Sequence, residues 1–381
     1  MVTTVPEIGN STFLIHPRGM EHWLEDVTKR IPGLRSYLGK RFNGANPTDD
    51  EISAELLRAP TVLPRYYGKT STGQNVRGIF AVLPLTGQQL LDLYEHDRKK
   101  FFERICHAML LLKAKGVSHI GTGALTGSVL TFFGGRLPDL PGVTLNSGNT
   151  LTGIMTADLV KKVIEDFSIQ NPLVAILGAG GSVGSVLNAE LAQARGLRLM
   201  LVDSLGRAEK QVAKLKSQAL TPIFSAKRVE EIATCDIVVV LTSASPYCLK
   251  REHLKSGTVV IDCTTPRNTT SDLGQFPEIL VLDGDAVLAP KIRRFDYGAP
   301  FGTIYACHAE TLVLALNGIN YASNKTNPFV GMAQPEMALP MRRWAKSVGL
   351  NQLPPHHSFG KKITDGRLSE FMNFRTNVRQ N

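Results

Sequence analysis

The sequence predicts an α/β protein built on a Rossmann-type, doubly wound parallel sheet. An N-terminal α/β substrate domain precedes the sheet, and C-terminal helices pack back. Three observations predict this. Leu173-Val-Ala-Ile-Leu177 is an apolar run that leads straight into Gly178-Ala-Gly-Gly-Ser-Val-Gly184, and helical spacing resumes from Ser185. That is a buried parallel strand, a tight turn and a helix start. Next, the apolar run 197–202 ends at Asp203, and runs beginning at 236, 258 and 278 each end in polar residues or glycine. Strands alternating with helices in this way give a parallel sheet. Finally, 381 residues are more than one such unit needs. The predicted division is 1–165 for the substrate domain, 166–310 for the Rossmann domain and 311–381 for the C-terminal helices and a basic tail.

Bulk composition narrows the function. An apolar fraction of 43% is ample for a core. No apolar run approaches the roughly 20 residues that span a bilayer, and the N-terminus lacks the pattern of a signal peptide. Five cysteines without a C-x-x-C pair or Cys/His spacing read as reduced thiols with no metal. The expected location is therefore cytoplasmic. The net charge of +10 is concentrated at 98–100, 291–294, 342–343 and 361–362. No nucleic-acid motif accompanies it, so nucleic acid is not the expected partner. A solvated basic surface is the plainest reading, and peripheral membrane contact is a weaker one.

In chain order, 13–16 reads as a strand, and 19–30 as a helix with Trp23, Leu24 and Val27 on one face. Strands are expected at 62–67 and 76–82, with helices from Thr86 and from Lys99 to Lys115. The stretch 116–133 is glycine-rich and apolar, as suits backbone packed tightly against a pocket. Asn149 and Thr150 precede a helix from Thr152 to Phe167, and a turn and helix cap is the plainer reading of that pair. The residues after 354 read as a mobile tail.

The glycine turn carries the first functional reading. Gly178 allows the turn, Gly180 and Gly181 let a pyrophosphate approach, and Gly184 lets the helix pack close to the strand. The spacing departs from a strict G-x-G-x-x-G, but a strand precedes it and a helix follows. Ser182 and Val183 at the helix start complete the expected phosphate site. Asp203 lies about 20 residues past the glycines, where an acid meets the ribose hydroxyls of NAD; Arg207, four residues on, suits a 2′-phosphate. Thr242, Ser243, Asp262, Thr264 and Gly284 end later strands at the ligand-binding edge.

A second signal lies at Gly298-Ala-Pro-Phe-Gly-Thr-Ile-Tyr-Ala-Cys307, where a glycine/proline loop opens a helix. A helix N-terminus lowers a thiol pKa, and a thiolate is a nucleophile. His308 is adjacent in sequence and points elsewhere on a helix, whereas Glu310 at i+3 is nearer. The competing reading is that Cys307 is a small core residue.

Ser118-His-Ile-Gly-Thr-Gly-Ala-Leu-Thr126, Gly148-Asn-Thr150, the glycine turn and Ala306-Cys-His-Ala-Glu310 together make the chain resemble the cyanobacterial-type long-chain acyl-[acyl-carrier-protein] reductases. The resemblance runs over most of the chain. It implies that Cys307 takes the acyl group from acyl carrier protein or acyl-CoA, and that NADPH, with NADH as the alternative, reduces the thioester to a fatty aldehyde. Asp203-Ser204 stands where that family has an arginine, so the choice of cofactor is open. Two other readings stand beside it: a shikimate-dehydrogenase-like oxidoreductase acting on a small hydroxy acid, and a nucleotide-binding protein without turnover.

Overall fold

The computed structural model describes residues 11–15, 32–43, 45, 48, 51, 54–55 and 59–380, except 84, 86, 124–125, 134–136, 138–139, 243–248, 266 and 295. The predicted helix at 19–30 and predicted site residue Ser243 lie outside the described residues.

The first sheet begins with strand β1 (Ser11–Ile15), and helix α1 (Pro32–Phe42) follows. The hairpin β2 (Arg65–Lys69) and β3 (Asn75–Val82) leads to helices α2 (Gly87–His96) and α3 (Arg98–Ala114). Strand β4 (His119–Thr122), helix α4 (Gly127–Phe133) and strand β5 (Thr144–Asn146) complete this region. β1 pairs in parallel with β3 and β4, and β4 pairs in parallel with β5. Gly121 in β4 has a packing reason: a Cβ there would lie 1.8 Å from Thr311 Oγ1.

Helix α5 (Asn149–Asp166) then crosses to the second sheet. That sheet comprises β6 (Leu173–Leu177), β7 (Arg198–Val202), β8 (Ile223–Ala226), β9 (Ile237–Val240), β10 (Val259–Asp262) and β11 (Leu280–Asp283). Helix α6 (Ser182–Ala192) follows β6, and α7 (Arg207–Leu215) follows β7. The spatial order is β11-β10-β9-β6-β7-β8, with every pair parallel. This is the dinucleotide-fold order, and its topological switch point lies between β6 and β9. The predicted Rossmann-type α/β class is what the chain adopts. Edge strand β8 lacks an apolar run, because Phe224 and Ser225 face solvent.

After β11 the chain returns to the first sheet. Strands β12 (Ala286–Leu288), β13 (Ile292–Arg293) and β14 (Thr303–Tyr305) precede helix α8 (Ala306–Leu316). β13 adds antiparallel to β2 and becomes the outer strand of the first sheet. One apolar core therefore joins Phe13, Tyr66 and Phe80 to Leu151, Ile154, Ile304 and Met341.

Helix α9 (Ala338–Val348) is held across α5 and α6 by Arg342. Its guanidinium donates to both oxygens of Asp158 (2.7 and 2.8 Å) and to Glu190 (2.6 Å). The C-terminal residues are not a mobile tail. Hairpin β15 (His357–Ser358) and β16 (Lys361–Lys362) leads to helix α10 (Asp365–Gln380). The Asp283 carboxylate accepts from the Phe359 and Gly360 N–H groups at 2.9 and 2.7 Å. Phe371 is fully buried against the core of the Rossmann sheet, so this last helix covers that sheet rather than the first region. Phe371→Ala should lower unfolding free energy by about 3 kcal/mol through the cavity left behind, read from urea denaturation.

Candidate active site

The strand order turns the glycine motif into a crevice. Gly178 ends β6 in the left-handed region (φ +83°), and a Cβ on it would lie 2.9 Å from the Thr242 backbone nitrogen. Thr242 follows β9, so the glycine turn and Thr242 face each other across the switch point. Gly180 packs against the residues after β7: its Cβ would meet Arg207 Cβ at 2.5 Å and Asp203 Oδ2 at 2.6 Å. Gly181 precedes α6, Ser182 opens it and Val183 follows, while a Cβ on Gly184 would strike the Ala179 carbonyl oxygen at 2.6 Å. The structure thus brings Gly178, Gly180, Gly181, Ser182, Val183, Gly184, Asp203, Arg207 and Thr242 to one sheet edge.

Asp203 and Arg207 are already partners. Arg207 Nε donates to Asp203 Oδ1 at 3.1 Å and Nη2 to Oδ2 at 2.9 Å, and the Leu205 N–H adds to Oδ1 at 3.0 Å. Burial alone would raise the Asp203 carboxyl pKa, but the Arg207 guanidinium outweighs it and holds the group below its ordinary value. Asp262 is a structural residue. It accepts from the N–H and hydroxyl groups of Thr264 and Thr269 and from the N–H of Asn268. Gly284 packs on Cys263, where a Cβ would lie 2.1 Å from Sγ.

Cys307 is the second residue of α8 and is partly buried. A Cβ on Gly148 would sit 2.2 Å from Cys307 Cβ, and one on Gly123 would sit 3.3 Å from its Sγ. The carboxyl ends of β4 and β5 therefore close directly on the cysteine. The expected lowering of its pKa does not appear: burial first, then the Asp285 charge, push the thiol up. These outweigh the lowering by the backbone N–H groups of Cys307 and His308 at the helix start. In this state Cys307 is a protonated thiol.

His308 points away from Cys307, as its helical position requires. It is enclosed by Phe13, Tyr66, Phe80 and Tyr297, and its Nδ1 lies 3.1 Å from Tyr297 Oη. Tyr297 Oη accepts the Tyr305 N–H, which leaves its own proton for Nδ1. Burial, then Arg294, lowers the imidazole pKa to about 3, so the ring is neutral.

Glu310 supplies what local sequence could not show. Gly148 precedes α5 at φ 74° with no side-chain cap. Glu310 caps the helix instead: Oε1 accepts from the Gly148 N–H at 3.1 Å and Oε2 from the Leu151 N–H at 2.7 Å. The expected local cap by Asn149 and Thr150 is therefore corrected. Asn149, the first residue of α5, turns its amide to Ser182 Oγ at 2.9 Å. Thr311 Oγ1 donates to Asn146 Oδ1 at 3.1 Å, tying α8 to the end of β5 as well.

Burial raises the Glu310 carboxyl to about 7, against the lowering effect of the backbone N–H groups. A raised folded-state pKa means that the folded chain holds this proton more tightly than the unfolded chain. The associated stability is full below the ordinary value near 4.5 and is lost as pH rises through about 7. Wild-type stability should therefore fall between pH 5 and pH 8 relative to Glu310→Gln. Urea midpoints of the two proteins at both pH values check this.

Comparison with known proteins finds a family model described as shikimate / quinate 5-dehydrogenase over residues 158–288. These residues contain the glycine turn, Asp203, Arg207 and Thr242. The chain is 28% identical over 145 residues to glutamyl-tRNA reductase of Methanocaldococcus jannaschii, covering 37% of this chain and 35% of that enzyme. It thus spans about a third of the length of that curated relative. Among solved structures, a dipicolinate synthase from Bacillus halodurans aligns with TM-score 0.30 and 21% identity over 37% of this chain and 50% of that one. The yhdH oxidoreductase from Salmonella enterica in complex with NADP aligns with TM-score 0.27 and 22% identity over 35% and 44% of the two chains. The family model and the curated relative both lie outside the acyl-[acyl-carrier-protein] reductases, and they overturn that resemblance. The Ala306-Cys-His-Ala-Glu310 and Gly148-Asn-Thr150 matches that suggested it are accounted for by packing and capping between α8 and α5.

Proposed function

We propose that the protein is an NAD(P)-dependent oxidoreductase that moves a hydride between a nicotinamide cofactor and a small hydroxy acid or its keto form. The observation that carries this reading is the glycine-turn crevice at the switch point, backed by the Asp203–Arg207 pair. The shikimate / quinate 5-dehydrogenase match over those same residues supports it. A bound nicotinamide supplies or accepts the hydride. Residues 178–184 and Thr242 would hold the pyrophosphate, and Asp203 with Arg207 would meet the adenosine ribose. The turn fits such a group, since Gly180 leaves no room for a side chain against Asp203 and Arg207.

NADPH is the proposed cofactor, with NADH as the alternative. Asp203 is neutralised by a guanidinium that remains 43% exposed, so a 2′-phosphate would meet a cation rather than a bare carboxylate. Cys307 closes the substrate side of the crevice and, as a protonated thiol, contributes shape and polarity there. Two experiments test these points. Arg207→Ala should weaken NADPH by about tenfold or more and NADH by less than about threefold, measured by fluorescence titration. Cys307→Ala should keep turnover within about tenfold of wild type if hydride transfer is direct. Loss of all turnover with nucleotide binding intact would instead give Cys307 a covalent role.

A further inference from the structure

We propose that Asn149 is a positioning residue for Ser182, fixing that hydroxyl as a hydrogen-bond donor toward the cofactor phosphates. The proposal rests on the dinucleotide reading of the glycine turn. Its basis is a chain of hydrogen bonds whose directions are set one by one. Thr131 Oγ1 donates its proton to the Gly127 carbonyl at 3.2 Å. It can therefore only accept from the Asn149 amide, whose Nδ2 lies 3.3 Å away, and this settles which way the amide faces. The same Nδ2 donates to Ser182 Oγ at 2.9 Å. The Ala333 N–H donates to that oxygen too, also at 2.9 Å. The 333 backbone is itself held, because Ser185 Oγ donates to the Ala333 carbonyl at 2.7 Å.

A hydroxyl has two lone pairs and one proton. Both lone pairs of Ser182 are filled, and among the described residues none accepts its proton. The residue is partly exposed and opens α6, where unpaired backbone N–H groups already favour an anion. The hydroxyl is thus a donor whose remaining direction is set by Asn149, a residue of α5 outside the Rossmann sheet. Nucleotide affinity is thereby linked to the helix that begins at the edge of the first sheet.

The test is a fluorescence titration of NADPH and NADH into wild type, Ser182→Ala, Asn149→Leu and the double variant, with thermal unfolding recorded for each. Either single substitution should weaken both nucleotides by about tenfold, as expected for a hydrogen bond to a charged acceptor. The double variant should be no weaker than Ser182→Ala, because Asn149 acts through Ser182. Equal weakening of NADPH and NADH separates this effect from one at Arg207. If Asn149→Leu fails to fold, Asn149→Asp has the same shape and takes the Ser182 proton for itself, so it should lose at least as much affinity. Wild-type affinity in the Asn149 variants, or an Asn149 effect that adds in full to Ser182→Ala, would overturn the proposal. Failure of wild type to bind either nucleotide would overturn the dinucleotide reading and this proposal with it.

Discussion

The Glu310 carboxylate on the α5 N-terminus is the interaction on which the rest of the arrangement depends. It joins the helix that leaves the first sheet to the helix that returns from the second. Burying a carboxylate costs several kcal/mol, and the cost is offset only where good hydrogen bonds replace water. Two backbone N–H groups and the positive end of an 18-residue helix provide that replacement. Because Glu310 holds Gly148, it also seats Gly148 on Cys307. Crevice shape and helix capping are consequently one structural problem with one solution.

The same economy of contact appears around α5. Gly153 lets this helix approach α6, since a Cβ there would meet Val186 Cβ at 2.8 Å. Asn149 crosses to Ser182 from the helix start, and Arg342 joins Asp158 of α5 to Glu190 of α6 farther along. These three contacts lie along one helix pair. They fix the phosphate turn relative to the first sheet without any contribution from the strands.

Much of the fold was legible because the Rossmann strands are buried on both faces and so read as unbroken apolar runs. Leu173–Leu177 is the clearest case, and the glycine turn after it could be read for the same reason. Strand β8 was not legible, because half-exposed edge residues leave no such run. β13 is two residues long and exists only because β2 offers it an edge. The terminal helix hid behind a polar sequence whose main anchor is Phe371. In the site, Asp203 and Arg207 could be found by spacing, but their pairing could not, since either might have served a ligand alone. The cap on α5 was invisible for a different reason: Glu310 is 162 residues from Gly148, and no local pattern connects them. The cysteine misled because a helix start lowers a thiol pKa only where burial and nearby carboxylates do not oppose it.

The return of the chain to the first sheet has a consequence for how the protein is made. The Rossmann strands are contiguous in sequence, so that sheet can close once residue 283 has emerged. The first sheet begins 272 residues earlier than Asp283, with Ser11, yet its outer strand and the core over Phe13 and Phe80 await residues 287–350. During synthesis its apolar face must therefore stay uncovered while the second half of the chain is translated. Such late, long-range closure is slow, and it exposes a nascent chain to aggregation. The N-terminal region is thus the part of this protein that most needs protection by chaperones before release from the ribosome.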